Sequence, residues 1–211
     1  MVKRSGHGQR SGIQGESVRE THSYHDPEFK MRAVKILPGD HYVTSAEDEM
    51  LVTILGSCVS ACIRDPAAQV GGLNHFLLPS GADGEWGVAS SNLRYGNFAM
   101  EQLVNDILKC GGRRSRLEIK LFGGASLLDN GAAVGARNIE FVENYLKTEG
   151  LPIYGRSLGG KAPRRIHYFP MTGKVLMKTL RSTEQRQVVE EERMFENQVS
   201  RAPVAGSAEL F

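Results

Sequence analysis

Gly56-Ser57-Cys58-Val59-Ser60-Ala61-Cys62-Ile63-Arg64-Asp65-Pro66 decides how this chain is read. Val59, Ala61 and Ile63 alternate with Ser60 and Cys62, the period of a strand with one buried face. Asp65-Pro66 then opens a turn, because an aspartate side chain can bond the backbone ahead of it and proline presets φ. Val70–Leu78 resumes as a second apolar strand and stops at Pro79, so the two segments pair as a hairpin. With the turn centred near residue 67, facing positions sum to about 134. Val59 then faces His75, and Cys58 lies beside that histidine.

The pattern extends outward in both directions. Upstream, Val34, Ile36 and Leu37 read as a strand closed by Pro38-Gly39-Asp40. His41–Ser45 is a short extended piece, and Met50–Leu55 is a strongly apolar strand that stops at Gly56. Downstream, Gly81–Gly87 reads as a glycine-rich loop. A helix follows over Asn97–Cys110, with Met100, Leu103, Val104, Ile107 and Leu108 on one stripe and Gly111-Gly112 ending it. Leu117, Ile119 and Leu121 alternate as a strand that halts at Gly123-Gly124. A second helix over Ala136–Lys147 carries Ile139, Val142 and Leu146. Strand, glycine turn and helix in succession are an α/β signature. Pro152–Arg156 comes next, and Ile166–Phe169 and Lys174–Leu180 flank a turn at Thr172-Gly173 as a hairpin. The expected architecture is a single-domain, layered α/β sandwich with a mixed sheet and at least two helices, over residues 33–181. Residues 1–32 read as a flexible extension. Residues 182–211 read as a polar tail with a short helix over Glu184–Phe195, where Val188, Val189 and Phe195 form a weak stripe.

Composition removes several function classes. A chain of 211 residues suits one domain with one sizeable core. Twenty-six basic against 24 acidic residues leave a formal charge of +2, too little to argue for a nucleic-acid surface. The short basic clusters Arg113–Arg116 and Lys161–Arg165 read as solvated faces. No apolar run approaches the roughly 20 residues of a membrane span, and the N-terminal segment lacks the apolar centre of a secretory signal. Three cysteines without framework spacing point to free thiols and a cytoplasmic setting.

A thiol beside an imidazole can carry nucleophilic chemistry. His75 would take the proton of Cys58, whose free pKa of about 8.5 falls beside a suitable partner. The backbone amides of Gly56–Val59 could then hold an oxyanion. Cys62, on the strand, and Cys110, at a helix end, fit structural roles. A metal site of Cys58, Cys62 and His75 with His41 beyond lacks zinc-knuckle spacing, so no metal and no cofactor is expected. Gly123-Gly124-Ala125-Ser126 lacks the full phosphate-loop form and reads as a tight strand exit or the wall of a cleft. Thr53, inside an apolar strand, either packs or orients His75.

These motifs together resemble one family. Leu55-Gly56-Ser57-Cys58-Val59, Asp65-Pro66, Gly71-Gly72-Leu73-Asn74-His75 and Leu77-Leu78-Pro79 are similar to the CheD family of chemoreceptor glutamine deamidases. So are Phe122-Gly123-Gly124-Ala125, Gly135-Ala136-Arg137-Asn138, Gly159-Gly160, Arg164-Arg165 and Thr172-Gly173-Lys174, in one consistent order. The resemblance implies deamidation of particular glutamines on methyl-accepting chemotaxis receptors, with methylesterase activity in some members. It implies Cys58 as nucleophile, His75 as base and a supporting threonine. The family's threonine stands where this chain has Val52; Thr53 is one residue nearer the cysteine, and Ser57 and Thr44 are alternatives. The implied partners are receptor cytoplasmic domains and, in some bacteria, a CheC phosphatase. A non-catalytic receptor- or phosphatase-binding adaptor is the alternative function.

Overall fold

The structure is a computed structural model, and it describes residues 22–78, 86–127 and 132–201. The first half is mostly strand: β1 (Ser23–Asp26), β2 (Met31–Lys35), β3 (His41–Thr44), β4 (Glu49–Leu55), β5 (Val59–Asp65) and β6 (Val70–Asn74). Helix α1 (Trp86–Lys109), β7 (Glu118–Gly123), α2 (Ala132–Thr148), β8 (Ile153–Leu158), β9 (Arg164–Phe169), β10 (Lys174–Thr179) and α3 (Ser182–Arg201) follow. The strands build two five-stranded sheets, ordered β1-β2-β4-β9-β10 and β3-β6-β5-β7-β8. Each is mixed: β2 runs parallel to β4, and β7 runs parallel to β8.

The period-2 pattern explains the layering. In β4, Leu51 and Leu55 point between the sheets, where they meet Cys62, Leu73 and Phe122 of the second sheet. In β5, Val59, Ala61 and Ile63 point the other way, onto Met100, Leu103, Val104 and Ile107 of α1 and Val142 and Leu146 of α2. The layers are therefore sheet, sheet and helices, an α/β sandwich as the sequence indicates. One expectation needs correction. Ser60 and Cys62 do not mark a solvated face of β5, because both are buried against the first sheet.

The hairpin register also differs by one. Cys62 pairs with Leu73 and Val59 bridges Phe76, so Val59 faces Phe76 and not His75. Asp65 pairs with Val70, leaving the four-residue loop 66–69 between them, with Gln69 in the left-handed region at φ 50°. An even loop puts the centre between two residues. Asp65 organises that loop: its Oδ1 accepts from the N–H groups of Ala67 and Ala68, and Arg116 and the Arg113 N–H bind it from outside. Arg116 is thus half-buried and tied to Asp65, and Arg164 is buried against the carbonyls of Ser157 and Gly159.

The ends of the sequence contribute more structure than expected. β1 pairs with β2 from Ser23↔Val34 onward, so the first sheet begins inside the segment read as an extension. Helix α1 begins at Trp86, within the expected loop Gly81–Gly87, most of which lies outside the described residues. The expected short C-terminal helix is the 20-residue α3. Residues 1–21 and 202–211, in the two expected tails, lie outside the described residues.

Candidate active site

After Leu55 the chain leaves the first sheet, and at Val59 it enters the second. Gly56, Ser57 and Cys58 make this crossing, and all three of their carbonyls are held on one side. The Gly56 carbonyl accepts from Ala125 N–H at 2.7 Å, and that of Cys58 accepts from Gly124 N–H at 2.7 Å. The Ser57 carbonyl accepts from the Asn138 side chain at 2.9 Å. With the carbonyls so fixed, the three N–H groups face the opposite way and converge. Val59 is not among them, since its N–H is committed to the Phe76 carbonyl. The Gly123-Gly124 exit makes the clamp. Gly123 sits at φ 112°, and a Cβ there would lie 2.1 Å from the Cys58 carbonyl oxygen. Asn138, buried on α2, is a positioning residue that residue-by-residue reading missed; its Oδ1 also accepts from Leu78 N–H at 2.8 Å.

His75 follows β6 and is held by its own backbone, donating to the Asp40 carbonyl at 2.9 Å and accepting from Gly39 N–H at 2.7 Å. Its ring is fixed by Thr53. Alternation along β4 turns Val52 to the outer face with Ala33 and Met50, while Thr53 points between the sheets. The structure thus places Thr53, and not Val52, against the histidine. Thr53 Oγ1 donates its one proton to the Ile36 carbonyl at 2.8 Å and lies 2.8 Å from His75 Nδ1. With that proton committed, the hydroxyl can only accept, so Nδ1 carries the ring hydrogen and Nε2 is bare. Nε2 is buried and has no hydrogen-bond partner among the described residues. Burial lowers the His75 pKa, opposed by the charge of Glu192 and the Ile36 carbonyl. The imidazole is therefore neutral near pH 7, the state a general base needs. Of the alternatives, Thr44 Oγ1 accepts from Ala46 N–H instead.

A ring nitrogen of His75, the sulfur of Cys58 and a carboxylate oxygen of Glu192 all lie within 4.8 Å of one another, and all three residues are buried. Glu192, on α3, is the member that the sequence reading did not single out. Its Oε1 accepts from Gly56 N–H at 3.0 Å and Cys58 N–H at 3.1 Å. Its Oε2 accepts from Ser57 N–H at 3.0 Å and Ser57 Oγ–H at 2.7 Å. The signal was present: Glu192 stands on the same helical face as Val188 and Phe195, where an apolar residue would continue the stripe. Cys62 lies in the core between the sheets, and burial pushes its thiol far up. His41 pairs with Asp106. Of the grouping of Cys58, Cys62 and His75 with His41 beyond, only Cys58 and His75 come together, and the third member beside them is Glu192. The Glu192 oxygens meet four hydrogen-bond donors, the surroundings of an anion acceptor.

An α/β sandwich that sets a thiol, an imidazole with a bare nitrogen and a cup of N–H groups at one crossing is equipped for attack on an acyl carbon. The family model described as "CheD chemotactic sensory transduction" matches residues 77–179. The chain is 58% identical over 198 residues to a probable chemoreceptor glutamine deamidase CheD of Rhodopseudomonas palustris, covering 94% of this chain and 92% of that one. It is 50% identical to the protein of the same description from Halorhodospira halophila, over 89% of this chain and 88% of that one. The counterpart in Saccharophagus degradans is 49% identical, with the same shares covered. The chain belongs to the CheD family. Among the described residues, no helix is long and apolar enough to cross a membrane.

Proposed function

We propose that this chain deamidates glutamine side chains of chemotaxis receptors through a thioester on Cys58. His75 Nε2 takes the thiol proton, and the sulfur attacks the amide carbon. The resulting oxyanion sits among the N–H groups of Gly56, Ser57 and Cys58. Collapse of that intermediate breaks the C–N bond, and His75 returns its proton to the departing ammonia. Water, deprotonated by the same nitrogen, then attacks the thioester. The thiol leaves reprotonated and the receptor keeps a glutamate. The same steps applied to a glutamate methyl ester release methanol, so methylesterase activity follows from one mechanism. Thr53 acts as the positioning residue that holds the His75 tautomer.

What supports the reading most is that a buried imidazole with a bare Nε2 has a ring nitrogen within 4.8 Å of the Cys58 sulfur, at the N–H cup. An adaptor that only binds receptors or a CheC-type phosphatase has no use for that nitrogen. Action on receptor cytoplasmic domains implies a cytoplasmic reaction. The test is incubation with a receptor cytoplasmic domain and mass spectrometry of its glutamines, where each conversion adds about 1 Da. The mass gain is expected with the native chain and absent with Cys58→Ala and His75→Ala. Conversion that survives Cys58→Ala would overturn the mechanism.

A further inference from the structure

Helix α3 meets the rest of the molecule along one stripe. Val188 and Glu192 are buried on it and Phe195 partly so, while Met194 beside them is 65% exposed. Val188, Glu191 and Glu192 line a small cleft together with Thr53 and His75. The Phe195 ring packs over the turn before β3, 2.8 Å from where a side chain on Gly39 would begin. The same holds at Gly56, where an added Cβ would lie 2.8 Å from a Glu192 oxygen. Two glycines therefore leave room for this helix and for the side chain that it sends inward.

That side chain fits the site as a reaction product would. Four donors meet two carboxylate oxygens, two to each. A carboxamide in the same pose would turn its NH2 against the Ser57 N–H, two donors facing each other. Among the described residues no lysine or arginine pairs with Glu192, so only the N–H cup and the Ser57 hydroxyl hold its charge.

We infer that the surface under α3 is a helix-binding groove, and that α3 is its resident occupant, a product-like segment which a substrate helix displaces. By the same geometry, the helix that replaces it presents its glutamine with an apolar residue four positions before and another three positions after, as Val188 and Phe195 flank Glu192. The inference rests on the proposed deamidase reading, since it makes Glu192 the counterpart of the deamidated side chain. It also assigns the C-terminal helix a role in setting the apparent affinity for receptors.

The test uses the full chain and two independent readouts. Alkylation of Cys58 by iodoacetamide reads whether the groove is covered, without any turnover. Glu192→Ala and Phe195→Ala are each expected to speed it by about tenfold or more, the usual scale of such coupling. Phe195→Ala keeps the carboxylate, so its acceleration separates displacement of the helix from loss of a nearby charge. With a receptor domain as substrate, Phe195→Ala should lower KM by a similar factor and leave kcat in place. In Glu192→Gln the introduced amide is a substrate in cis. Its peptide should gain about 1 Da on standing, and Glu192→Gln combined with Cys58→Ala should gain nothing.

Unchanged alkylation in both variants, with receptor glutamines still converted by the native chain, would overturn the groove and leave the deamidase standing. Faster alkylation with no conversion of any receptor glutamine would keep the groove and sink the deamidase reading. A fall in kcat on Glu192→Ala would make Glu192 part of the catalytic machinery and refute its role as an occupant.

Discussion

Two buried carboxylates in this molecule are held in similar ways and differ in one respect. Asp65 accepts from the N–H groups of Ala67, Ala68 and Arg113 and also carries the Arg116 guanidinium, with Nη2 at 2.6 Å. Glu192 accepts from the N–H groups of Gly56, Ser57 and Cys58 and from a hydroxyl, and no guanidinium or ammonium pairs with it among the described residues. Asp65 is joined to residues of its own hairpin and of the turn before β7, two turns of the sandwich itself. Glu192 comes from a helix attached along one stripe. A buried anion with its own cation is part of the fold, whereas one held by donors alone can exchange with another anion of the same shape. The first carboxylate closes a loop; the second occupies a site.

The largest effect that would sharpen this contrast is on stability. Arg116→Ala leaves the buried Asp65 charge to three backbone N–H groups and should cost about 2–3 kcal/mol. Calorimetry should show Tm falling by roughly 2–4 °C for each of those kcal/mol. A loss near zero would erase the distinction between the two anions. Next comes Thr53→Val, which removes the acceptor of the His75 ring hydrogen while keeping the strand packed. It should lower kcat/KM about 100-fold, as misplacement of a reacting group does. Thr53→Ser should restore most of the rate, and an inactive Thr53→Ser protein would show that packing, not the hydroxyl, matters there. Glu192→Ala should change global stability by less than about 1 kcal/mol, because water reaches the freed N–H groups once the helix lifts. A loss as large as that of Arg116→Ala would make Glu192 a second Asp65.

The smallest effects are those of pH. Burial raises the Asp65 carboxyl, but Arg116 and the surrounding N–H groups outweigh it and bring it down to about 2. Its stabilisation is complete above the usual value of 3.8 and is lost as pH falls through that value towards 2. Denaturant titrations at low pH should show this slope, and Asp65→Asn should flatten it. His75 acts in a higher window. Its depressed pKa means that the unfolded chain binds a proton first as pH drops below 6.5, so stability declines there. A stability profile that is flat from pH 7 down to the acid limit would contradict the burial of a neutral imidazole.

Much of the site was legible where chemistry and local pattern coincide. Cys58 and His75 were found because a thiol and an imidazole fall near each other in a hairpin whose turn residues are plain. Thr53 was legible only as a pair of alternatives. It either packs or orients His75, with Ser57 and Thr44 as substitutes, and its one-residue offset from the family's position left that open until the fold put it on the inner face of β4 with Leu51 and Leu55. The one-residue error in the hairpin register came from the loop 66–69, whose even length is set by the Asp65 bonds and the left-handed Gln69. Ser60 and Cys62 misled for a different reason. Small polar residues in alternation look like a solvated face, and only a second sheet packed over them makes that face interior.

The sequence by itself determined most of the strands, the two core helices, the glycine turns and the nearness of Cys58 to His75, since each depends on periodicity or on side-chain chemistry within a few residues. Tertiary structure alone decided three things. The inward convergence of the 56–58 N–H groups depends on Gly124, Ala125 and Asn138, more than sixty residues away in the chain. The tautomer of His75 depends on a hydroxyl from another sheet whose proton is spent on Ile36. The meeting of Glu192 with that cup spans a sequence separation of 136 residues from Gly56. The direction of a hydrogen bond and the partner of a buried charge are properties of neighbours in space, and no local period in the chain encodes them.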